Sequence, residues 1–568
     1  MSEVFLGIDL GTTTTLIARA IEGEQAISVR VLDIPQKSRN QEMEDLPYLP
    51  SVAYLPLDKP PMIGLEAVRL GSQDPSRLVR AVKRHMGRRI ILPFVEREPY
   101  EISALYLEKA LREGKHQLPM EDMVFTVTVP ASFTTNQRAD TLLALQKACE
   151  SVKITYPRDE GQLFISEPVA AMLAFLNEEF ERSHFSRRLD LSKENRIVVY
   201  DIGGGTLDLT LVFIEPSDRK QPVRNLTDLR INVDSISYYN PFGGEDFDFK
   251  LALELHQRWL ETNPDLAEIS LSPRERQGVR LDLMNIAKDT KEKLSEQMSL
   301  QGEIFFDEED DEEITQRYSG EIRLQDTEYH IEGEINAEEY RELVADLVDN
   351  ESRKSLLTPL KDLLNKTGFD PQRLDGLLIV GGMGKLPLIK ESLSSYWGND
   401  RVWLFNPPDQ AVVSGAAIYS YLRRRFPGFS LSEPAADAYY VRAKTYFDLI
   451  LPANTKKKPG EKKRYDLTVD SDRLLLEIFA GEEPNPDQTI KDIYPTLIAQ
   501  GSTIIALGKK YKKKTPVYIQ MLYESETGEE DHTKVPWIYV WVESDSGEPL
   551  FRRRYSKFIE EDRHEKSI

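Results

Sequence analysis

An α/β unit built twice around a cleft and followed by an all-β sandwich is the fold class the sequence predicts, and three observations predict it. The phrase GIDLGTTTT (7–15) returns as DIGGGTLDL (201–209): a β-like run ends in an aspartate, small residues follow, and alternation resumes. Beyond residue 438 the signal is period two, in RYDLTVD, RLLLEIFAG, PVYIQMLYES and PWIYVWVES, separated by turn-rich segments. Between the two regimes lies GFSLSEPAADA (428–438), polar and proline-containing, with the character of a linker. The expected units are therefore 1–427, a linker 428–438, a β-sandwich 439–558 and a tail 559–568.

The elements can be justified in order. Residues 4–20 and 196–214 each read as strand, tight turn, strand. MVFTVTVPASF (123–133) reads as a further strand ending at Pro130, and NQRADTLLALQKACE as the helix after it. In EPVAAMLAFLNEEF (167–180) a proline near the helix start precedes apolar residues at helical spacing. A long amphipathic helix is expected over 272–299, opened by Ser-Pro. Strand, glycine and helix return over 374–393, and a last helix, DQAVVSGAAIYSYLRRR, ends near Pro427 and Gly428. The acidic run Asp307 to Glu313 lacks EF-hand spacing and reads as a solvated loop. In the sandwich, Val517, Ile519, Met521 and Tyr523 share one strand face, as do Trp537, Tyr539 and Trp541, and packing is the expected use of both stripes. The basic clusters 456–464 and 509–514 read as hairpin loops.

Composition excludes several functions. The 568 residues carry a net charge of −22, which argues against a general nucleic-acid binder, because phosphate contacts need clustered cations. It argues equally against binding anionic membranes. The single cysteine, Cys149, forbids an intrachain disulfide and suits a reducing compartment. The seven histidines show no zinc-like spacing. With no secretory n-region in MSEVFLGIDL and no window near the roughly 20 apolar residues of a membrane span, a soluble cytoplasmic protein is expected.

Phosphate recognition needs inward-pointing backbone N–H groups and no side chain in the way, which glycine-rich turns supply. Gly11 with Thr12 to Thr15, and Gly203 to Gly205 with Thr206, both qualify. Asp9 and Asp201 precede these turns, so their carboxylates would face the phosphates. That arrangement repels unless a cation such as Mg²⁺ intervenes, held by one or two carboxylates together with the phosphates. Phosphoryl transfer to water then asks for a lysine and a water-orienting acid. Lys83 and Glu167 are candidates.

GIDLGTTTT, AVKRHMGRR, TVPASFTTNQR, SEPVAAM, DIGGGTLDL, GGEDFD, IVGGMGKLP and NPPDQAVVSGAAI follow one another in the order and approximate spacing of the ATPase domain of the seventy-kilodalton heat-shock (DnaK-like) chaperones, and the chain resembles that family. The resemblance implies an actin-like, two-lobed ATPase domain binding ATP or ADP with Mg²⁺ at the bottom of its cleft. It further implies that Gly11, Thr12 and Thr13 form the first phosphate loop and Gly203, Gly204, Gly205 and Thr206 the second. Asp9 and Asp201 would set a hydrated Mg²⁺, Lys83 would meet the γ-phosphate and attacking water, Glu167 would help position that water, and Asp208 would support the second loop. Gly243, Gly244 and Glu245 belong to the segment closing over the nucleotide, and Lys291, Ser295, Gly381, Gly382 and Asp409 match the adenosine pocket. Lys288, Glu292 and Met383 to Lys385 depart from the family pattern around the base.

YFDLILPANTKKKP and LLLEIFAGEEPNPD resemble the opening strands of the family's peptide-binding sandwich, where an extended peptide is held through its backbone, a logic close to strand addition. The linker lacks the family's Asp-Leu-Leu-Leu run, and no helical lid is expected after FRRRYSKFIEED. The implied function is an ATP-dependent chaperone for unfolded or extended polypeptides, with a J-domain cochaperone and a nucleotide-exchange factor as possible partners. The alternative is an ATPase switch whose β-domain binds one dedicated protein. A sugar kinase of the same fold is a third reading, for which no general base for a substrate hydroxyl is evident.

Overall fold

A computed structural model describes residues 3–556 apart from 24–25, 38–41, 72–73, 88–90, 93–94, 118–122, 156–162, 184–185, 238–239, 269, 305–313, 325–326, 349–354, 428, 433–437, 444–445, 453–461, 468–469, 482–488, 492–497 and 525–536. The acidic run 307–313, the tail 559–568 and most of the cluster 456–464 lie outside the described residues.

The opening repeat becomes two sheets of one design. In the first, β1 (Val4–Leu10) and β2 (Thr14–Ile21) form the expected hairpin, β3 (Ser28–Val31) extends it, and β4 (Met123–Val129) and β5 (Phe164–Ser166) add in parallel on the other side, giving the order β5-β4-β1-β2-β3. Pro130 follows β4 directly, where the ladder no longer needs its missing N–H. Between these strands run α1 (Pro99–Gln117), α2 (Thr135–Val152) and, after β5, α3 (Glu167–Glu181). α2 opens with a capping box of Thr134 and Gln137.

The second sheet repeats the plan. β6 (Asn195–Ile202) and β7 (Leu207–Pro216) form its hairpin, β8 (Leu229–Ile236) continues it, and β11 (Gly376–Val380) and β12 (Val402–Leu404) add in parallel to β6. Inserted between β8 and β11 are α4 (Gly244–Thr262), the long α5 (Pro273–Ile304) and a hairpin of β9 (Thr315–Leu324) and β10 (Thr327–Asn336). α6 (Pro387–Trp397) follows β11, and α7 (Ala411–Arg425) follows β12.

α3 and α7 lie between the two sheets and fuse them. One buried cluster contains Phe5 and Leu16 of the first sheet, Val199 and Val212 of the second, and most of the buried face of both helices. A Cβ on Gly415 would stand 1.6 Å from the Ala170 carbonyl oxygen, so the helices cross in backbone contact that only glycine permits. Separate cores cover the outer faces of the two sheets.

The expected linker is not featureless. Ser430–Ser432 forms β13, which adds in parallel to β8 with Ile231 opposite Leu431. The sequence hid this strand because three residues cannot display a period, and its partner is remote in the chain.

Beyond it, β14 (Ala438–Ala443), β15 (Tyr446–Leu451), β17 (Ser471–Gly481) and β18 (Ile498–Tyr511) form one antiparallel sheet, β15-β14-β17-β18. β16 (Lys463–Asp466), β19 (Pro516–Glu524), β20 (Trp537–Ser544) and β21 (Pro549–Ser556) form another, in that order. Ile450, Leu476 and Ile478 of one meet Val517, Met521 and Val540 of the other in a shared core. Val517, Ile519 and Met521 pack inward as expected; the Tyr523 side chain lies outside the described residues. On β20, Val540 and Val542 supply the face buried in the shared core, and Trp541, half-buried, lies on the other; the side chains of Trp537 and Tyr539 lie outside the described residues. The two basic clusters are corrected in part, since Lys463 and Arg464 lie in β16, and Lys510 and Tyr511 in β18.

Candidate functional site

The first turn is built around Gly11. A Cβ there would stand 2.3 Å from the Thr14 carbonyl oxygen. Ser51 secures the turn, its Oγ donating to the Gly11 carbonyl at 2.9 Å and its N–H to that of Thr13 at 2.8 Å. Thr12 lies in the turn itself, half-buried. The second turn is closed by the Gly203 N–H donating to the Thr206 carbonyl at 2.9 Å. The two turns, far apart in sequence, abut: a Cβ on Gly204 would lie 2.4 Å from Cγ2 of Thr13.

The start of α4 closes on the second turn. The N–H groups of Gly244 and Glu245 donate to the carbonyls of Gly203 and Gly204 at 3.0 and 2.6 Å. A Cβ on Gly243 would sit 2.7 Å from the Gly203 oxygen, which explains the paired glycines before Glu245.

Four carboxylates surround one lysine beneath these turns. Ala81, at the left-handed φ of 51°, turns the chain into the short helical segment Val82–His85 and buries Lys83. Its Nζ lies 2.5 Å from Oε1 of Glu167, the first residue of α3, where the helix dipole favours a negative charge. Asp9 ends β1 and accepts from Thr128 Oγ1 at 2.7 Å. Asp201 and Asp208 stand directly opposite each other across the β6–β7 ladder, where like charges repel. Burial, and then Glu167, push the carboxyl of Asp9 up to about 6 and that of Asp208 up to about 7. The same causes, with Asp208 and Asp9 added, raise Asp201 well above the carboxylate range.

A second group gathers along α5. Lys291 Nζ pairs with Asp248 at 2.6 Å, both buried, and donates to the Gly244 carbonyl at 3.3 Å. Ser295 Oγ donates to the carbonyl of Lys385 at 2.9 Å, and Lys385 Nζ pairs with Asp409 at 2.6 Å. Gly381, at a φ of +88°, passes so close to β6 that a Cβ would lie 2.5 Å from Asp201 Oδ1, while Gly382 lies beside Asp409. Lys288 and Glu292 face each other one turn apart on the exposed side of α5, 3.8 Å between charges.

The structure thus brings the sequence-predicted residues into two adjoining clusters, one around Lys83 and one around Lys291. Sequence reasoning missed Ser51, Thr128, Arg84 and Asp248, and singled out Lys385 only as a departure from the family pattern, without its contacts to Ser295 and Asp409. Thr128, Arg84, Asp248 and Lys385 sit inside the phrases that carry the resemblance, so position was their only signal; Ser51 carries none, because what recruits it is its pairing with the first turn.

Comparison with known proteins places the chain in a family. The Hsp70 protein family model matches residues 96–424, more than half of the chain. The chaperone protein DnaK of Thermotoga neapolitana is 28% identical over 496 residues, covering 85% of this chain and 71% of the relative. Those of Thermotoga petrophila and Thermotoga maritima match to the same extent. The chain belongs to the Hsp70 family.

Proposed function

We propose that this Hsp70-family chain binds Mg²⁺-ATP in the cleft, hydrolyses it slowly, and couples that cycle to the capture of unfolded or extended polypeptide by the β-sandwich. One observation carries the reading: two glycine turns from two matching sheets abut directly above a lysine set among four carboxylates.

Backbone N–H groups of Gly11 to Thr13 and of Gly203 to Gly205 would bind the phosphates. Lys83 would donate to the γ-phosphate and the attacking water, and Glu167, which already orients Lys83, would hold that water. Thr206 and Asp208 would fix the second turn. Lys291, Ser295, Gly381, Gly382 and Asp409 would hold the adenosine, with Gly243 to Glu245 closing the segment over it. The donor set fits Mg²⁺: it is all-oxygen, and with one lysine among four carboxylates, burial and the charge of Glu167 push the carboxyls of Asp9 and Asp208 up. Asp9 and Asp201 would hold it through water, and it would neutralise charge developing on the phosphates.

β13 supports coupling, since a segment leading to the sandwich is a strand of the ATPase sheet. J-domain and nucleotide-exchange partners would act on this cycle. Among the described residues, no helix is long and apolar enough to cross a membrane, and a cytoplasmic site of action fits that.

The test is fluorescence titration of a labelled, extended apolar peptide with and without Mg²⁺-ATP. Peptide affinity that falls at least fivefold with ATP supports the coupled chaperone. ATP binding with no generic peptide binding would overturn it in favour of a nucleotide switch with one dedicated partner.

A further inference from the structure

Lys83 is neutralised by Glu167, but two arginines beside it are not matched in this way. Arg84 reaches across the cleft, donating from Nη2 to the Gly205 carbonyl at 3.0 Å, with Glu245 only loosely placed at 3.4 Å. The contact with the second turn is close, since a Cβ on Gly205 would collide with Nη2. Arg80, four residues earlier at the end of the short strand Leu78–Arg80, also crosses the cleft, but its partner is the neutral Oδ1 of Asn285, at 3.2 Å. Among the described residues no carboxylate forms an ion pair with Arg80, and Glu245 is the counter-charge that acts on it from a distance. In both arginines Nε is sealed from solvent with no hydrogen-bond partner.

A guanidinium partly removed from water and short of acceptors is costly, and the fork of N–H donors matches a phosphate oxyanion in two-point contact. Only Nη2 of each is engaged, so most donors are unspent. Glu245 is about half exposed while Arg84 is 30% exposed, so the acid lies on the solvent side and can yield to an incoming anion.

We propose that Arg80 and Arg84 form an oxyanion site at the mouth of the phosphate turns, which takes a tetrahedral phosphate group in exchange for Glu245. The inference rests on the nucleotide reading above, and two sources share the chemistry: the terminal phosphate of a bound nucleotide, and free inorganic phosphate after hydrolysis.

The experiment is stopped-flow release of a fluorescent ADP from the Mg²⁺-loaded full chain, with and without millimolar inorganic phosphate, for wild type, Arg80→Gln and Arg84→Gln. Phosphate should slow ADP release at least fivefold in wild type and less than twofold in the variants, whose release without phosphate stays within about twofold of wild type. In a parallel arm, a variant that weakens a non-hydrolysable ATP analogue at least fivefold relative to ADP, with no change in the phosphate effect, identifies the nucleotide's own terminal phosphate as the occupant. Equal behaviour of variants and wild type in both arms overturns the site. If wild type holds no ADP, the nucleotide reading fails instead, and titration of the nucleotide-free chain with inorganic phosphate, lost in both variants or unchanged, still decides the arginines.

Discussion

Lys83 is the most exacting residue of the molecule, because its burial is tolerable only through its contact with Glu167. Both glycine turns are held by other partners, Ser51 on one side and the start of α4 on the other. Lys83→Ala should therefore leave nucleotide affinity within a few-fold while hydrolysis falls by about 10²-fold or more, the usual penalty for losing a transition-state charge contact. Single-turnover hydrolysis beside an equilibrium titration separates the two, and loss of binding would contradict the role given to this lysine. Asp208 makes a complementary case. Its carboxyl titrates near 7 in the folded chain, raised by burial and by Glu167, against an ordinary value of 3.8. The native state then holds the extra proton between about pH 4 and 7, so this group's contribution to stability is present at low pH and lost as the pH rises through 7. In metal-free buffer Asp208→Asn should be more stable than wild type at pH 8, by at most about 4 kcal/mol, with the gap closing towards pH 4. Thermal melts across that range test the sign.

Among the elements, the crossing of α3 and α7 is the least forgiving. Gly415→Val would drive a branched side chain into the Ala170 carbonyl at the centre of the shared core, and overpacking of that kind costs about 1–3 kcal/mol or more. A fall in melting temperature of several degrees, without loss of nucleotide-induced stabilisation, is the expected result. β13 has the opposite character, a short strand at a sheet edge that is easily displaced. Leu431→Pro removes a backbone donor from it and should leave hydrolysis intact while flattening the ATP effect on peptide affinity. If peptide affinity still responds fully to ATP, the strand is not the connection between the two.

For the molecule as a whole, the duplicated sheets were legible because a hairpin ending in aspartate and glycine writes its signature in a few adjacent residues. The hairpin over 315–336, α1 and the long β18 were not legible in the same way: 315–336 alternates, but no glycine-aspartate phrase marks where it begins or turns. The site was readable as a list of residues, but not as two clusters, since the meeting of Thr13 with Gly204 and the pairing of Lys385 with Asp409 depend on how two lobes are fused. That fusion has a thermodynamic consequence. The core around α3 and α7 belongs to both lobes at once, while the sandwich buries its own core of Ile450, Leu476, Met521 and Val540. The lobes should unfold together and the sandwich apart from them, giving two calorimetric transitions. A ligand that binds only the folded cleft stabilises by about 2.7 kcal/mol at a hundred times its dissociation constant. Mg²⁺-ADP should therefore raise the transition of the lobes and leave that of the sandwich in place. A single transition shifted as one by nucleotide would mean that the sandwich and the lobes share their stability, and that β13 ties them more firmly than a three-residue edge strand implies.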